Sequence, residues 1–142
     1  MKTSTSKYSL ALILAFISCF SFCLGCSSGK DKLEPAPGLT MEEPGTNVRL
    51  KIVVDDNYGK HVANLNVVAH SGKSSVKAIT GDDGMVVIGL KEISPSGVDF
   101  TFSGEQISWT ERVSEIPEEI LSATLYFTVD QLGQVRFSRL HY

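Results

Sequence analysis

Five oxygen-bearing side chains stand in two short segments that could bring metal ligands together. A glycine follows each segment closely, Gly59 after the first and Gly84 after the second. The side chains are those of Asp55, Asp56, Asn57, Asp82 and Asp83. Calcium takes six to eight oxygen ligands, and two neighbouring loops of this kind could supply some of them. The regular spacing of a calcium loop is missing, however, and Asp or Asn close to Gly commonly forms a tight turn by accepting hydrogen bonds from its own backbone. The sequence therefore favours turns, and we predict no metal site.

Other catalytic arrangements are equally hard to find in the sequence. The three histidines have no metal-ligand spacing and occupy separate segments, at His61, His70 and His141. No serine lies in a G-x-S-x-G elbow. Four glutamates surround Pro117, and a solvated loop accounts for them, at Glu111, Glu115, Glu118 and Glu119. We therefore expect a protein that is not an enzyme, with no catalytic residues and no cofactor.

Cys26 is the one residue for which the sequence predicts a chemical modification. Lys2 and Lys7 precede a short apolar run, Leu10 to Phe22, which is diluted by serines and is shorter than a membrane span. This order of a basic start, an apolar middle and a small residue before the cut is typical of a secretory signal. Leu24-Gly25-Cys26 resembles a bacterial lipobox, so we predict a signal peptide over residues 1–25 and acylation of Cys26. Two alternatives stay open: an ordinary signal cut near Gly25, and an uncleaved anchor.

The composition of the remaining chain limits where it acts and on what. All three cysteines lie in or at the end of the signal, so the exported domain would have no disulfide. Residues 26–46 are rich in Pro and Gly and predict a flexible tether that begins with the lipidated cysteine. Removing residues 1–25 takes two lysines from the 13 Lys and Arg, which leaves 11 against 16 Asp and Glu, a formal charge of −5. This balance argues against nucleic-acid binding and against a polybasic membrane patch, and leaves the lipid as the membrane anchor.

Residues 47–142 alternate apolar and polar side chains in short runs, as in Val48 to Val54 and Leu125 to Val129. Turn sequences such as Gly81-Asp82-Asp83-Gly84 separate the runs at intervals of about ten residues. This pattern predicts an all-β domain, a single antiparallel β-sandwich of about seven or eight strands. Only 116–122 could hold a helical turn, with Pro117 at its first position.

The stretch from Val53 to Leu90 resembles two families of bacterial sandwich domains. These are the immunoglobulin-like domains of the invasin type and the carboxypeptidase-regulatory-like domains, which are transthyretin-like. The resemblance rests on turn and core positions, namely Asp55, Gly59, Val62, Leu65, Val67, Thr80, Asp83, Gly84 and Leu90. It implies a β-sandwich and leaves the topology open between the two types. From Ile93 onward the chain departs from both patterns.

These observations predict a lipid-anchored envelope protein. The residue after the lipidated cysteine is Ser27 and not Asp, which by resemblance to enterobacterial lipoproteins favours the outer membrane. We expect a non-catalytic protein-interaction or scaffold module, periplasmic or on the cell surface, with a protein partner. Alternatives are a lipoprotein that binds a glycan or small ligand, and a protective inhibitor or immunity lipoprotein. We expect Trp109 in the core and the strand from Val135 to Tyr142 at a sheet edge. The candidate contact residues for a partner or ligand are Tyr58, Asp82, Asp83, Tyr126 and Tyr142.

Overall fold

The alternating segments form β-strands because each can bury one face. The segment Val48–Asp56 shows this with Val48, Leu50, Ile52 and Val54 inside. The computed structural model describes residues 35–142; the predicted signal peptide, Cys26 and residues 27–34 lie outside this part. Its strands are β1 (Met41–Glu42), β2 (Val48–Asp56), β3 (Asn66–Ser71), β4 (Ser74–Ile79), β5 (Met85–Leu90), β6 (Val98–Ser103), β7 (Ser108–Val113), β8 (Ser122–Val129) and β9 (Val135–His141). Within this part of the chain no helix is long and apolar enough to cross a bilayer.

The strands form two sheets, which confirms the predicted all-β sandwich. One sheet has the order β1-β5-β2-β8-β9 and the other has the order β4-β3-β6-β7. Two details differ from the sequence prediction. The described residues form nine strands, and the five-stranded sheet is mixed, because β2 runs parallel to β8 and β1 runs parallel to β5. The four-stranded sheet is antiparallel throughout.

In the four-stranded sheet β3 is hydrogen-bonded to β4 on one side and to β6 on the other. The two sheets confirm the β-sandwich that both resemblances imply, and the choice between the immunoglobulin-like and the transthyretin-like type stays a prediction.

A cluster of phenylalanines fills the space between the sheets. Phe100 and Phe102 of β6 face Phe127 of β8, with ring centroids 5.2 Å and 4.9 Å from the Phe127 ring. Phe137 of β9 packs on the same ring at 5.8 Å. Because Phe127 contacts rings from both sheets, it joins the two layers of the core.

The N-terminal end of the described chain closes one side of the sandwich. Pro37 bridges Ile79 of β4, and four residues later Met41 pairs with Ile88 of β5, so the segment crosses from one sheet to the other. The prediction of a flexible tether up to residue 46 is therefore wrong for residues 37–42. The folded domain begins before Asn47, because β1 adds to the edge of a sheet that the periodic strands already form.

Three further predictions concern the other side of the sandwich. The strand β9 lies at the edge of its sheet, as expected. Where the sequence allowed a helical turn over 116–122, the Ile120 amide donates to the Pro117 carbonyl in a turn, and Ser122 already belongs to β8. Trp109 is only half-buried because β7 is also an edge strand; its indole Nε1–H donates to Glu111 at 3.4 Å.

Candidate functional site

Four loops meet at one end of the sandwich because β2 and β8 run parallel and end together there. The loops are residues 57–65 after β2, 80–84 after β4, 104–107 after β6 and 130–134 after β8. We call this group the loop end. Residues from distant parts of the chain therefore lie side by side in it, which is the usual way a rigid sandwich presents a binding surface.

The acidic residues of the loop end hold its turns in shape. The Asp56 carboxylate accepts hydrogen bonds from the amides of Tyr58 and Lys60, at 2.8 Å and 2.9 Å. Asp83 accepts from the Met85 amide at 3.0 Å. These contacts confirm that the Asp-rich segments form turns. In residues 35–142 no group of three or more His, Cys, Asp or Glu side chains is arranged to hold a metal ion.

An open cavity of about 570 Å³ lies between three of the loops and is lined by residues 62–65, 104–107 and 129–133. Two large side chains project beside it: Tyr58 is 79% exposed and Leu132 is 81% exposed. The Gln131 side-chain amide donates to the Tyr58 hydroxyl at 2.8 Å. This hydrogen bond joins loops 73 residues apart in sequence and places Tyr58 at the rim of the cavity.

The floor of the cavity is held rigidly. The buried Thr80 hydroxyl accepts from the Leu65 amide at 3.0 Å and donates to the Val62 carbonyl at 2.7 Å, which ties the loop after β2 to β4. Asn64 adopts a left-handed conformation with φ of 57° and lines the cavity. A residue other than glycine in this region is uncommon, though Asn tolerates it better than most.

The lining of the cavity is partly polar and includes two acids, Glu105 and Asp130. Three carboxamides, those of Asn64, Gln106 and Gln131, lie around the cavity, and no Lys, Arg or His lines it. Of these two acids, Asp130 already takes part in hydrogen bonds within its own turn, because its carboxylate accepts from the amides of Leu132 and Gln134 at 2.8 Å and 2.9 Å. The cavity can therefore donate and accept hydrogen bonds, but it has no group that would compensate an anion.

His61 and Asp55 form the nearest approach to a catalytic pair. The His61 Nδ1 atom lies 2.7 Å from the Asp55 carboxylate, and both side chains are substantially exposed. Within residues 35–142 no hydroxyl or thiol side chain is hydrogen-bonded to His61. A nucleophile within hydrogen-bond reach of the base is required for a hydrolytic triad.

The structure divides the predicted contact residues among three places. Tyr58, Asp82 and Asp83 lie in the loop end. None of the three lines the cavity, but Tyr58 is hydrogen-bonded to Gln131, which does. Tyr126 lies on the outer face of the five-stranded sheet, and the Arg139 guanidinium stands 4.1 Å from its ring centroid. Tyr142 lies at the opposite end, where its hydroxyl donates to the Glu115 carbonyl at 3.4 Å. The five residues therefore do not form one site.

Sequence reasoning missed Leu132 and the three carboxamides. Leu132 stands in a Gln-Leu-Gly turn that marks a strand reversal. An apolar side chain at such a tip is itself a signal, because turn tips favour small polar residues. The carboxamides gave no signal, since they come from three loops that only the fold brings together.

Comparison with known proteins gives distant similarities of fold. No protein-family model and no curated protein sequence matches the chain. A protein from Eubacterium rectale, solved by NMR, is similar at a TM-score of 0.47 with 9% identity, over 68% of this chain and 94% of that one. Catechol 1,2-dioxygenase from Acinetobacter sp. ADP1 gives 0.38 with 13% identity, over 85% of this chain and 62% of the enzyme. The enzyme of that name from Pseudomonas arvilla C-1 gives 0.38 with 12% identity, over 91% and 69%. Likenesses this distant carry no activity over to this chain.

Proposed function

We propose that this protein is a non-catalytic, lipid-anchored module of the bacterial cell envelope that binds a partner protein through its loop end. One observation carries the proposal. Tyr58 and Leu132, both about four-fifths exposed, stand on adjacent loops at the mouth of the cavity. Large, highly exposed side chains on neighbouring loops of a rigid scaffold are typical of an interaction surface.

The arrangement also suits a protein partner energetically. Aromatic side chains are enriched among the residues that dominate binding energy at interfaces. The hydrogen bond from Gln131 fixes the position of the Tyr58 ring before binding, which lowers the entropy cost of ordering it. The capped turns of Asp56 and Asp130 hold the two loops in place in the same way.

A comparison of two leucines tests the loop end. Leu132 lies there and Leu121, at 77% exposure, lies in the loop between β7 and β8 at the other end of the sandwich. A photo-crosslinking amino acid at position 132 of the full-length protein should capture a defined envelope protein in intact cells. The same amino acid at position 121 should not capture it.

The binding contribution is then measured with the captured partner. Leu132→Ser and Tyr58→Ala should each weaken its binding by roughly tenfold or more, and Leu121→Ser should leave it unchanged. An equal loss in the variants at both ends, with unchanged thermal unfolding, would contradict a loop-end interface.

The anchor is tested separately by the intact mass of the membrane-fraction protein. We expect the mass of residues 26–142 plus acyl chains, and we expect Cys26→Ser to abolish the lipid. A diacyl or triacyl cysteine supplies the two or more chains that stable anchoring requires. A wild-type mass without lipid would remove the envelope-anchored part of the proposal and leave the loop-end part to stand on the crosslinking result.

A second candidate function, binding of a neutral glycan, is favoured by the carboxamide lining of the cavity. The volume of about 570 Å³ falls in the range of small-ligand sites. Carboxamides both donate to and accept from sugar hydroxyls, and Tyr58 offers an exposed ring beside them. Titration with neutral oligosaccharides separates the two functions: a saturable signal that Gln131→Ala abolishes would favour the glycan.

A further inference from the structure

The outer face of the five-stranded sheet carries a set of side chains that the loop end does not use. We define this outer face by the residues of β1, β2, β8 and β9 that point away from the core. The parallel register places Arg49 beside Ser122, Lys51 beside Thr124 and Val53 beside Tyr126. On the other side of β8, Arg139 lies beside Tyr126, and Arg136 beside Thr128. Basic and hydroxyl-bearing side chains therefore lie next to each other across three strands.

Charge is segregated onto this face. Residues 35–142 contain nine Lys and Arg against fourteen Asp and Glu. Four of the nine basic residues lie on the outer face, at Arg49, Lys51, Arg136 and Arg139, and only Glu42 and Asp55 accompany them. The formal side-chain charge is thus +2 on this face and −7 on the rest of the described chain. A local charge opposite to that of the whole protein selects partners by attraction at the face and repulsion elsewhere.

The basic groups differ in how far they are already paired. Glu42 accepts from the Arg49 guanidinium at 2.6 Å, and this hydrogen bond raises the pKa of Arg49. Arg139 stacks over the Tyr126 ring, which orients its guanidinium without neutralising it. Among the residues that the structure describes, Lys51, Arg136 and Arg139 take part in no ion pair. Three exposed positive charges are therefore free to bind anions.

A shallow groove of about 160 Å³ crosses the same face and is lined by Arg49, Lys51, Val87, Thr124, His141 and Tyr142, among others. Arg guanidinium groups bind carboxylates in a bidentate manner, and hydroxyl groups can donate to the same ligand. Basic and hydroxyl-bearing side chains extend along the strands of this face beyond the groove. Such a surface suits a linear chain that carries repeated anionic and hydroxyl groups.

We propose that the outer face binds an acidic polysaccharide, that is, a linear glycan bearing carboxylate groups. The observations favour this occupant over two others. A lipid surface is disfavoured because the face has no exposed large apolar side chain for insertion other than Tyr142 at the end of the groove. A protein partner is disfavoured because interface centres are enriched in aromatic residues, and Tyr126 is already covered by Arg139.

The test measures binding of fluorescein-labelled polygalacturonic acid to the full-length protein in a non-ionic detergent. Lys51→Gln combined with Arg139→Gln should weaken binding at least about tenfold, because both charge-assisted contacts are lost. The matched control combines Lys73→Gln with Lys77→Gln, which removes the same charge from exposed sites associated with the other sheet. It should change the affinity less than twofold. Unchanged thermal unfolding of both double variants shows that the fold is intact.

Competition identifies the class of ligand. Unlabelled polygalacturonic acid should displace the labelled chain, and neutral dextran should not. The proposal is overturned by an absence of saturable binding, or by equal losses in the two double variants, which would indicate net charge alone. It is also overturned if micelles containing phosphatidylglycerol, or single-stranded DNA, displace the labelled chain as efficiently as the glycan does. The Leu132→Ser variant should bind polygalacturonic acid normally, so failure here leaves the loop-end proposal intact.

Discussion

Replacing Phe127 by alanine should remove the side chain that joins the two sheets. Its ring is 1% exposed and contacts three other phenylalanine rings, one on β9 and two on β6. Truncation of a fully buried Phe costs about 3–5 kcal/mol, because the lost transfer free energy is added to that of the cavity left behind. Three aromatic partners in a rigid sandwich place Phe127 in the upper part of that range, at about 4 kcal/mol. A domain of this size has a total stability of about 5–15 kcal/mol, so the variant should lose a large share of it.

Phe137 provides the matched control. It is only half-buried and has a single aromatic neighbour, Phe127, so Phe137→Ala should cost about 2 kcal/mol, roughly half as much. Urea unfolding followed by the fluorescence of Trp109, the single tryptophan, measures both free energies of unfolding. A loss below about 1.5 kcal/mol for Phe127→Ala, or equal losses for the two variants, would refute the idea that this ring holds the layers together.

Three further substitutions test local features of the fold. Thr80→Val should lower the free energy of unfolding by about 1–3 kcal/mol in urea titration, because the Leu65 amide loses its acceptor; no loss would mean that the loop does not depend on this hydroxyl. Gly97→Ala should destabilise more than Gly59→Ala in thermal unfolding. Both glycines have positive φ, but a Cβ at Gly97 would lie 2.3 Å from the Val113 carbonyl oxygen of β7, whereas a Cβ at Gly59 would have no atom within 4 Å. Equal destabilisation by the two substitutions would contradict this steric explanation. The hydrogen bond from the Arg112 guanidinium of β7 lowers the pKa of Asp99. The stabilisation that this ion pair gives is therefore present above the ordinary carboxyl pKa and is lost as the pH falls through the lowered value. Asp99→Asn should therefore be less stable than wild type at neutral pH, with a difference that shrinks in acid; a difference independent of pH would exclude the ion pair as its cause.

The strands and their inward faces could be predicted from the sequence, because a half-buried strand must alternate. Leu50, Ile52 and Val54 are inside for this reason, and Leu125 and Phe127 likewise. The turns were also predictable, since Asp83 and Asp56 cap their own backbone within a few residues. Both effects act between residues that are close in sequence, so they can be predicted from the order of the residues.

The candidate surfaces, by contrast, depend on contacts between residues far apart in the chain. Tyr58 and Gln131 meet only because β2 and β8 pair in parallel, and no local pattern encodes that choice of partner. The two-residue strand β1 has too few positions to show any period, and it forms because β5 offers an unpaired edge.

The outer face shows the same division. The sequence alone determined that β2, β8 and β9 would each turn polar side chains outward, because alternation leaves one face of each strand to solvent. Only the tertiary structure decided that Lys51 and Arg139 would share a surface. The physical reason is that strand order sets which outward residues become neighbours, and strand order is fixed by how the whole apolar core is buried at once.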